Sequence, residues 1–221
     1  MSTYVFDPNI IESAARRGIG LPRDRMFEVI LDALEDKYPD DIHRDQPWVF
    51  NVAGGVMIQI KIIHASPSEY IMLWGTAIGA EGYSGRHPAE FYDTVVDGET
   101  WYQPEGKLER EVYRAGDRIF LGRGECAGMR IPDHLWAVEY ARGTLPLVLP
   151  FGLADAFTST VDITTIFRSL KIYATLSLRS MRRRRSRNGM SQALVITAAV
   201  YLAVRFLLTR RNGRITERPV L

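Results

Sequence analysis

The stretch WVFNVAGGVMIQIKIIHASPSEYIMLWGTAI, residues 48–78, decides the fold. It contains three short runs of β-branched, aromatic and aliphatic residues, separated by Gly-Gly and Ser-Pro-Ser turn signals. Further runs of this kind are DTVVDG (93–98), REVYRAGDRIFL (110–121) and LWAVEYARG (135–143). Together they predict a β domain of roughly eight or more strands over residues 48–148. Many short strands at close spacing favour a barrel or a double-sheet roll, whose interior can hold a ligand.

Helical patterns precede this β domain, in residues 1–47. Asp7 followed by Pro8 is a typical helix start, and Gly18 is a plausible end of that helix. A second, amphipathic helix is predicted from Pro22 to Tyr38. Its apolar residues recur at helical spacing: Met26, Phe27, Ile30, Leu31 and Leu34.

Helical patterns also follow the β domain, over residues 151–157 and 161–178. The second segment carries an apolar stripe of Ile166, Phe167, Leu170, Tyr173 and Ala174. Such a stripe fits a helix that lies on a membrane and fits equally well a helix that packs on the β domain. We interpret residues 149–180 as membrane-adjacent helices, with packing on the barrel as the open alternative.

The C-terminal tail, residues 181–221, differs from the rest of the 221-residue chain in charge. Residues 171–221 carry 12 Lys and Arg against one acidic residue, whereas residues 1–170 carry 16 against 25. The net charge of +2 therefore hides a basic end, and half of its charges lie between Arg179 and Arg187. Such a cluster fits an anionic membrane, nucleic acid or a nuclear address.

The segment that follows the arginines, SQALVITAAVYLAVRFLL at residues 191–208, favours the membrane. It is mostly apolar and nearly long enough for a span, which needs about 17–25 residues. Arg205 lies late enough to snorkel to the headgroups, and the flanking arginines suit anionic lipids. We therefore expect a C-terminal membrane anchor, without an N-terminal signal peptide and without nucleic acid as a partner. An interfacial or core helix is the alternative.

Several kinds of site lack support in the sequence. His43, His64, His87 and His134 never form a close pair, and no Cys or carboxylate lies at metal-ligand spacing from them. No phosphate-binding loop, dinucleotide fingerprint or G-x-S-x-G motif occurs. The single cysteine, Cys126, forms no internal disulfide and is expected to pack. We expect neither a metal nor a cofactor.

Two carboxylates stand within strand-like apolar runs. In LWAVEYARG, Glu139 alternates with Ala137 and Ala141 on one face, opposite the face of Trp136 and Tyr140. A buried Glu there would have a raised pKa and could act as an acid near neutral pH, but an outward, solvated Glu fits the pattern slightly better. Asp93, before Thr-Val-Val, fits a strand-entry or turn aspartate better than a buried acid.

Long blocks of the sequence resemble a known family, the fungal-type sterol C-8 isomerases and their relative, the sigma non-opioid intracellular receptor. The blocks cover nearly the whole domain: YVFDP from Tyr4, WVFNVAGG from Trp48, HASPSEYIMLWGTAIGAEGYSGRHPAEFYDT from His64, WAVEYARG from Trp136 and LPFGLADAFTSTVD from Leu149. Blocks of this length and order are highly specific.

The resemblance implies a mainly β fold with flanking helices: a cupin-like barrel without metal, capped by C-terminal helices on the membrane and associated as a homotrimer. By motif position, Asp93 matches the aspartate of the family's ligand site, and Glu139 matches the glutamate that pairs with a bound cation. Tyr70 matches a tyrosine that hydrogen-bonds this glutamate. Four further residues are implied near the cavity lining: Trp74, Phe91, Met129 and Trp136.

The chain also departs from the family. We expect the chain to lack the N-terminal membrane helix that is usual in the family and to carry the arginine cluster and the segment 191–208 in addition. An anchor moved to the C-terminal end would leave the barrel on the cytosolic side of the endoplasmic reticulum membrane, opposite to the expected lumenal placement. In FLGRGE, Leu121 stands where the receptor branch has a histidine, which favours the enzyme branch.

The resemblance implies that the protein isomerises a sterol double bond from Δ8 to Δ7 by protonation and deprotonation. A carbocation intermediate requires a nearby anion, and a pair of coupled carboxylates supplies one anion and one acid. Asp93 is assigned as proton donor and Glu139 as the cation-stabilising or proton-accepting group, with the reverse assignment nearly as credible. Hydrophobic amines are expected to inhibit because an ammonium mimics the cation. The alternative is a non-catalytic, receptor-like binder of amphiphilic amines or sterols.

Overall fold

The computed structural model describes residues 4–187, and its side chains up to residue 184. Within that range the chain forms two N-terminal helices, nine strands and two C-terminal helices. The helices are α1 (Pro8–Arg16), α2 (Arg23–Lys37), α3 (Leu149–Thr158) and α4 (Ile163–Arg187), with a short 3₁₀ helix at Leu145–Leu147. The strands are β1 (Val49–Ala53), β2 (Val56–Ala65), β3 (Glu69–Thr76), β4 (Ala80–Tyr83), β5 (Ala89–Pro104), β6 (Glu111–Arg114), β7 (Arg118–Leu121), β8 (Ala127–Ile131) and β9 (Leu135–Gly143).

The two N-terminal helices confirm the sequence prediction. Asp7 caps α1, because its side chain accepts a hydrogen bond from the Asn9 backbone N–H, and Pro8 fills the first helical position. The amphipathic helix predicted from Pro22 to Tyr38 is α2, which those two residues flank on either side.

The strands form one antiparallel sheet that curls into a nearly closed barrel. Its order is β1-β2-β3-β9-β5-β8-β4, and β6 and β7 pair with β5. The two ends of this order approach each other, since the Tyr83 backbone N–H at the end of β4 donates to the Gly54 carbonyl in the β1–β2 turn. Gly54 permits this approach: its φ is positive, and a Cβ there would lie 2.1 Å from the Tyr83 carbonyl oxygen.

The barrel wall is buried on both faces along β2, β3, β5 and β9. The outer face packs against α1 and α2, and one apolar cluster contains both Ile30 and Leu34 of α2 and the sheet residues Leu73 and Tyr140. The inner face forms a second apolar cluster, with these members among others: Val49, Ile60, Trp74, Val95, Ile119, Leu135 and Ala137. Alternate residues of one strand therefore enter two different cores.

The chain before α1 is fastened to the outer face by a fully buried carboxylate, Glu69. Its oxygens accept hydrogen bonds from the backbone N–H groups of Val5 and Phe6 at 2.9–3.1 Å. The Tyr140 hydroxyl donates to the same carboxylate at 2.9 Å. These bonds satisfy a charge that would be costly to bury alone.

The C-terminal helices pack on the barrel and also expose apolar side chains. Asp155 of α3 accepts a hydrogen bond from the Gly55 backbone N–H at 2.8 Å, and Tyr173 and Leu176 of α4 join the inner cluster. Phe157 is 48% exposed and Phe167 is 68% exposed. The apolar stripe predicted for α4 is thus divided, because Ile166 and Tyr173 are buried whereas Phe167 faces outward.

No helix within residues 4–187 combines the length and apolar character that crossing a bilayer requires. The anchor predicted at residues 191–208 lies outside the described residues.

Candidate functional site

Two carboxyl groups meet on the inner face of the barrel. Asp93 of β5 and Glu139 of β9 are direct partners in the antiparallel ladder of these strands. Residues that face each other in this way have Cβ atoms about 4.5–5.5 Å apart. Both side chains share their face with the inner cluster, to which Val95 of β5 and Ala137 of β9 belong. The strand-entry reading of Asp93 is therefore wrong, as is the solvated reading of Glu139.

The surroundings of the pair favour the neutral form of both carboxyls. Asp93 is only 5% exposed, and burial and the nearby Glu139 charge raise its pKa well above the usual range. Burial raises the pKa of Glu139 to about 7, against hydrogen bonds from Tyr70 and Asp93 that lower it. Burial thus favours the neutral form of both carboxyls, and their proximity disfavours ionisation of both at once.

Two side chains of β3 each donate a hydrogen bond to one of the two carboxyls. The Tyr70 hydroxyl donates to Glu139 Oε1. The Trp74 indole Nε1–H donates to Asp93 Oδ1 at 2.8 Å. Burial and the Glu139 charge raise the Tyr70 pKa well above its normal value, so this phenol remains a donor. The predicted contact of Tyr70 with Glu139 is present in the structure.

Other predicted lining residues divide between the two faces of the wall. Met129 of β8 packs on the inner cluster, and Phe91 of β5 packs beside Tyr70. Leu121 of β7, where the receptor branch has a histidine, is the direct ladder partner of Phe91. It lies two residues along β7 from Ile119, the ladder partner of Asp93.

Trp136 does not join this group, and the expectation that it lies near the cavity lining is corrected. It lies one strand position from Ala137 and so projects to the outer face, where its ring contacts Phe27 and Trp48 at centroid distances of 5.6 and 5.7 Å. Gly75 opposite leaves space for it, because a Cβ there would lie 2.6 Å from the indole. These three rings line an open groove of about 350 Å³ beside α2.

Sequence reasoning missed two phenols near the pair. Tyr102, at the far end of β5, is 7% exposed, and burial followed by the charges of Asp93 and Glu139 raises its pKa well above normal. Tyr173 comes from α4, and its hydroxyl donates to the Ser66 carbonyl at 3.0 Å. Tyr173 belongs to the inner cluster against which Tyr70 also packs. The helical pattern in the sequence placed Tyr173 in an apolar stripe, but it could not predict the hydrogen bond to Ser66.

The described part of the chain contains no cluster of three His, Cys, Asp or Glu side chains that could hold a metal ion. The inner face offers one carboxyl with a pKa raised well above its usual range, a second carboxyl with a pKa of about 7, and two oriented hydrogen-bond donors among apolar residues. This arrangement can give a proton to one carbon atom and remove a proton from another, and it can stabilise a positive charge between these steps.

Comparisons with known proteins agree on one family. Residues 1–185 match the family model described as ERG2 and Sigma1 receptor like protein. A C-8 sterol isomerase ERG2 of Gibberella zeae is 38% identical over 172 residues, covering 76% of this chain and 73% of the relative. The sigma non-opioid intracellular receptor 1 of Gallus gallus is 41% identical over 172 residues, covering 77% and 78%.

Two solved structures have a likeness to part of this chain. An RmlC-like cupin from Shewanella frigidimarina has a TM-score of 0.39 and 20% identity, over 45% of this chain and 85% of that one. A predicted oxalate decarboxylase from Thermotoga maritima has a TM-score of 0.39 and 14% identity, over 46% and 93%. The family assignment rests on the sequence matches: the chain belongs to the ERG2 and Sigma1 receptor like protein family.

Proposed function

We propose that this protein is a sterol Δ8–Δ7 isomerase that uses Asp93 and Glu139 as its acid and base. The observation that carries the proposal is the direct pairing of these carboxyls on an apolar face, with both pKa values raised. Relatives named C-8 sterol isomerase support the substrate class, among them one from Neurospora crassa at 41% identity.

The reaction requires two proton transfers and no change of oxidation state. The double bond moves from C8=C9 to C7=C8, so C9 gains a proton and C7 loses one. Between these steps C8 carries a tertiary carbocation. A protonated carboxyl supplies the first proton, and a carboxylate stabilises the cation and takes the second.

The hydrogen bonds support Asp93 as the donor and Glu139 as the acceptor. Glu139 receives two hydrogen bonds, from Tyr70 and from Asp93, and both lower its pKa. Asp93 donates in the second of these bonds, which raises its pKa further. Proton transfer from Asp93 to the sterol leaves two carboxylates beside the cation, and Glu139 then takes the proton from C7. Solvent must afterwards move one proton back to Asp93.

A second candidate function is a non-catalytic binder of amphiphilic amines or sterols. The 41% identity to a protein named sigma non-opioid intracellular receptor 1 favours it, as does the carboxylate at Glu139, which would pair with an ammonium group. In the enzyme the same amines would be inhibitors, because they place a positive charge where the carbocation forms.

Exposed apolar side chains within residues 147–167 support a membrane-facing entrance for the sterol. Besides Phe157 and Phe167, they include Leu147, Val161 and Ile163. Several large apolar side chains exposed within one short segment fit burial in a bilayer. Residence in the endoplasmic reticulum membrane and assembly as a homotrimer are proposed from the family resemblance. Microscopy of a tagged chain tests the first and light scattering in detergent tests the second.

Expression in yeast that lacks its own Δ8–Δ7 isomerase tests the function. The proposal expects Δ7 sterols to return in the sterol profile, and expects the Asp93→Asn chain, at equal abundance, to leave Δ8 sterols. Persistent Δ8 sterols with the unaltered, well-expressed chain would favour the binder.

A further inference from the structure

One polar contact in the inner core joins Trp74 to the carboxyl of Asp93. Trp74 is 3% exposed, and its Nε1–H donates to Asp93 Oδ1 at 2.8 Å. An indole N–H can only donate, so it needs an acceptor oxygen when buried. Asp93 Oδ1 is that acceptor.

This contact divides the two oxygens of Asp93 into different roles. A protonated carboxyl has one carbonyl oxygen, which is the better acceptor, and one hydroxyl oxygen, which carries the proton. Because Oδ1 accepts from Trp74, the carbonyl oxygen is Oδ1 and the proton is carried by Oδ2. The acid is thereby held with its proton directed away from the indole and into the site.

We propose that Trp74 is a positioning residue that keeps the transferable proton of Asp93 on Oδ2, and that the same N–H stabilises the Asp93 carboxylate once the proton has left. The second half of this inference rests on the proposed function, because it concerns the Asp93 carboxylate that forms when the sterol is protonated. Its first half concerns the resting protein.

The second half follows from the changing charge of Asp93. A hydrogen bond to a carboxylate is roughly twice as strong as one to a neutral carboxyl, so the indole contact strengthens as the proton leaves. The pKa of Asp93 in the resting protein is consistent with this. Burial and the Glu139 charge raise that pKa, and the hydrogen bond from Trp74 lowers it by a smaller amount. Without the N–H, Asp93 would be a weaker acid.

Replacement of Trp74 by Phe keeps an aromatic ring in the core and removes the N–H. Trp48→Phe is the matched control, since Trp48 packs on Phe27 and Trp136 at the outer face. In the full-length purified chain we expect Trp74→Phe to lower kcat about 10- to 100-fold with a smaller change in KM. The alkaline limb of the pH–rate profile, where Asp93 loses its proton, should move up by about one to two pH units. A role in packing alone would leave that limb in place, and this result would overturn the proposal.

A second measurement does not depend on turnover. The infrared C=O band that disappears in Asp93→Asn reports the protonated Asp93 carboxyl. We expect this band to move to higher wavenumber in Trp74→Phe and to stay in place in Trp48→Phe, because a carbonyl that loses a hydrogen bond becomes stiffer. An unchanged band would contradict the assignment of the proton to Oδ2. A shifted band in a chain without isomerase activity would uphold this assignment and would refute the proposed function instead.

Discussion

Glu139 lies directly opposite Asp93 in the β5–β9 ladder, so that two carboxyl groups share one apolar face of the barrel. Two negative charges at this spacing would repel each other strongly where water is scarce. The pair avoids this cost by holding one proton between them, which also leaves one acid and one base in the same site. Sterol isomerisation requires those two groups together.

Removal of either titratable group should stop the reaction. Asp93→Asn has no proton to give, and Glu139→Gln cannot accept one, so each should lower isomerase activity by about 10²- to 10⁴-fold, the usual contribution of a general acid or base. Glu139→Gln should also abolish tight binding of hydrophobic amines, because it removes the carboxylate that pairs with the ammonium group. Assays on purified chains with matched circular dichroism spectra check both effects. Full activity in either variant would remove that residue from the mechanism.

The Glu139 carboxyl should reduce the stability of the fold at neutral pH. The pKa of Glu139 is about 7 in the folded protein against 4.5 for an ordinary Glu. Between these values the folded state keeps a proton that the unfolded state releases, so the free energy of unfolding falls as pH rises from about 4.5 to 7. Glu139→Gln should remove this decrease in the free energy of unfolding. Above pH 7 the variant should therefore be more stable than the unaltered chain by about 1–3 kcal/mol.

Urea unfolding at pH 5 and pH 8 measures this difference. The exposed Glu81 of β4 provides the control, since Glu81→Gln should give the same pH dependence as the unaltered chain. Equal stability of Glu139→Gln and the unaltered chain at pH 8 would mean that Glu139 is not held at a raised pKa.

Tyr70 should set the acid limb of the pH–rate profile. Its hydroxyl bonds the Glu139 carboxylate and lowers its pKa, so Tyr70→Phe should raise that pKa by about one to two units above 7. Because the base acts when ionised, the acid limb should move to higher pH by the same amount. Tyr83→Phe, at an exposed position on β4, should not move it. An acid limb that stays in place in Tyr70→Phe would show that Glu139 is not the base.

The exposed face of α4 should contribute to lipid binding. Phe167 is 68% exposed, and Phe167→Glu should weaken binding to vesicles of phosphatidylcholine and phosphatidylserine by about tenfold or more, because a buried Phe contributes about 1.5–3 kcal/mol. Leu108→Glu is the control, since Leu108 is 97% exposed in the β5–β6 loop. Flotation of the full-length chains measures both. Equal losses in the two variants would point to a general charge effect rather than to a membrane face.

The fold was largely predictable because its signals are local. Turn residues at Gly54 and Gly55 and alternating apolar runs indicate a β barrel, and the Asp7–Pro8 pair indicates α1. The side on which each residue lies was harder to predict. The wall is buried on both faces, so the alternation in LWAVEYARG cannot say whether Glu139 or Trp136 faces the barrel interior.

A bulge adds a second difficulty in β5. The ladder with β9 shifts register between Val95 and Asp97. Simple alternation from Asp93 would turn Tyr102 to the opposite face, but one extra residue restores it to the inner side. Nothing in the run DTVVDG marks this bulge. The assignment of Asp93 and Glu139 as a pair therefore came from the family resemblance, and the ladder register explains why they meet.

Conversion of a Δ8 sterol in D₂O by the purified protein tests the central claim most directly. If Asp93 exchanges its proton with solvent and then protonates the alkene, mass spectrometry should find one deuterium in each Δ7 product molecule, on C9. The Asp93→Asn protein should give no labelled product. Formation of Δ7 sterol without solvent deuterium, or equal labelling by Asp93→Asn, would contradict the carboxylate mechanism.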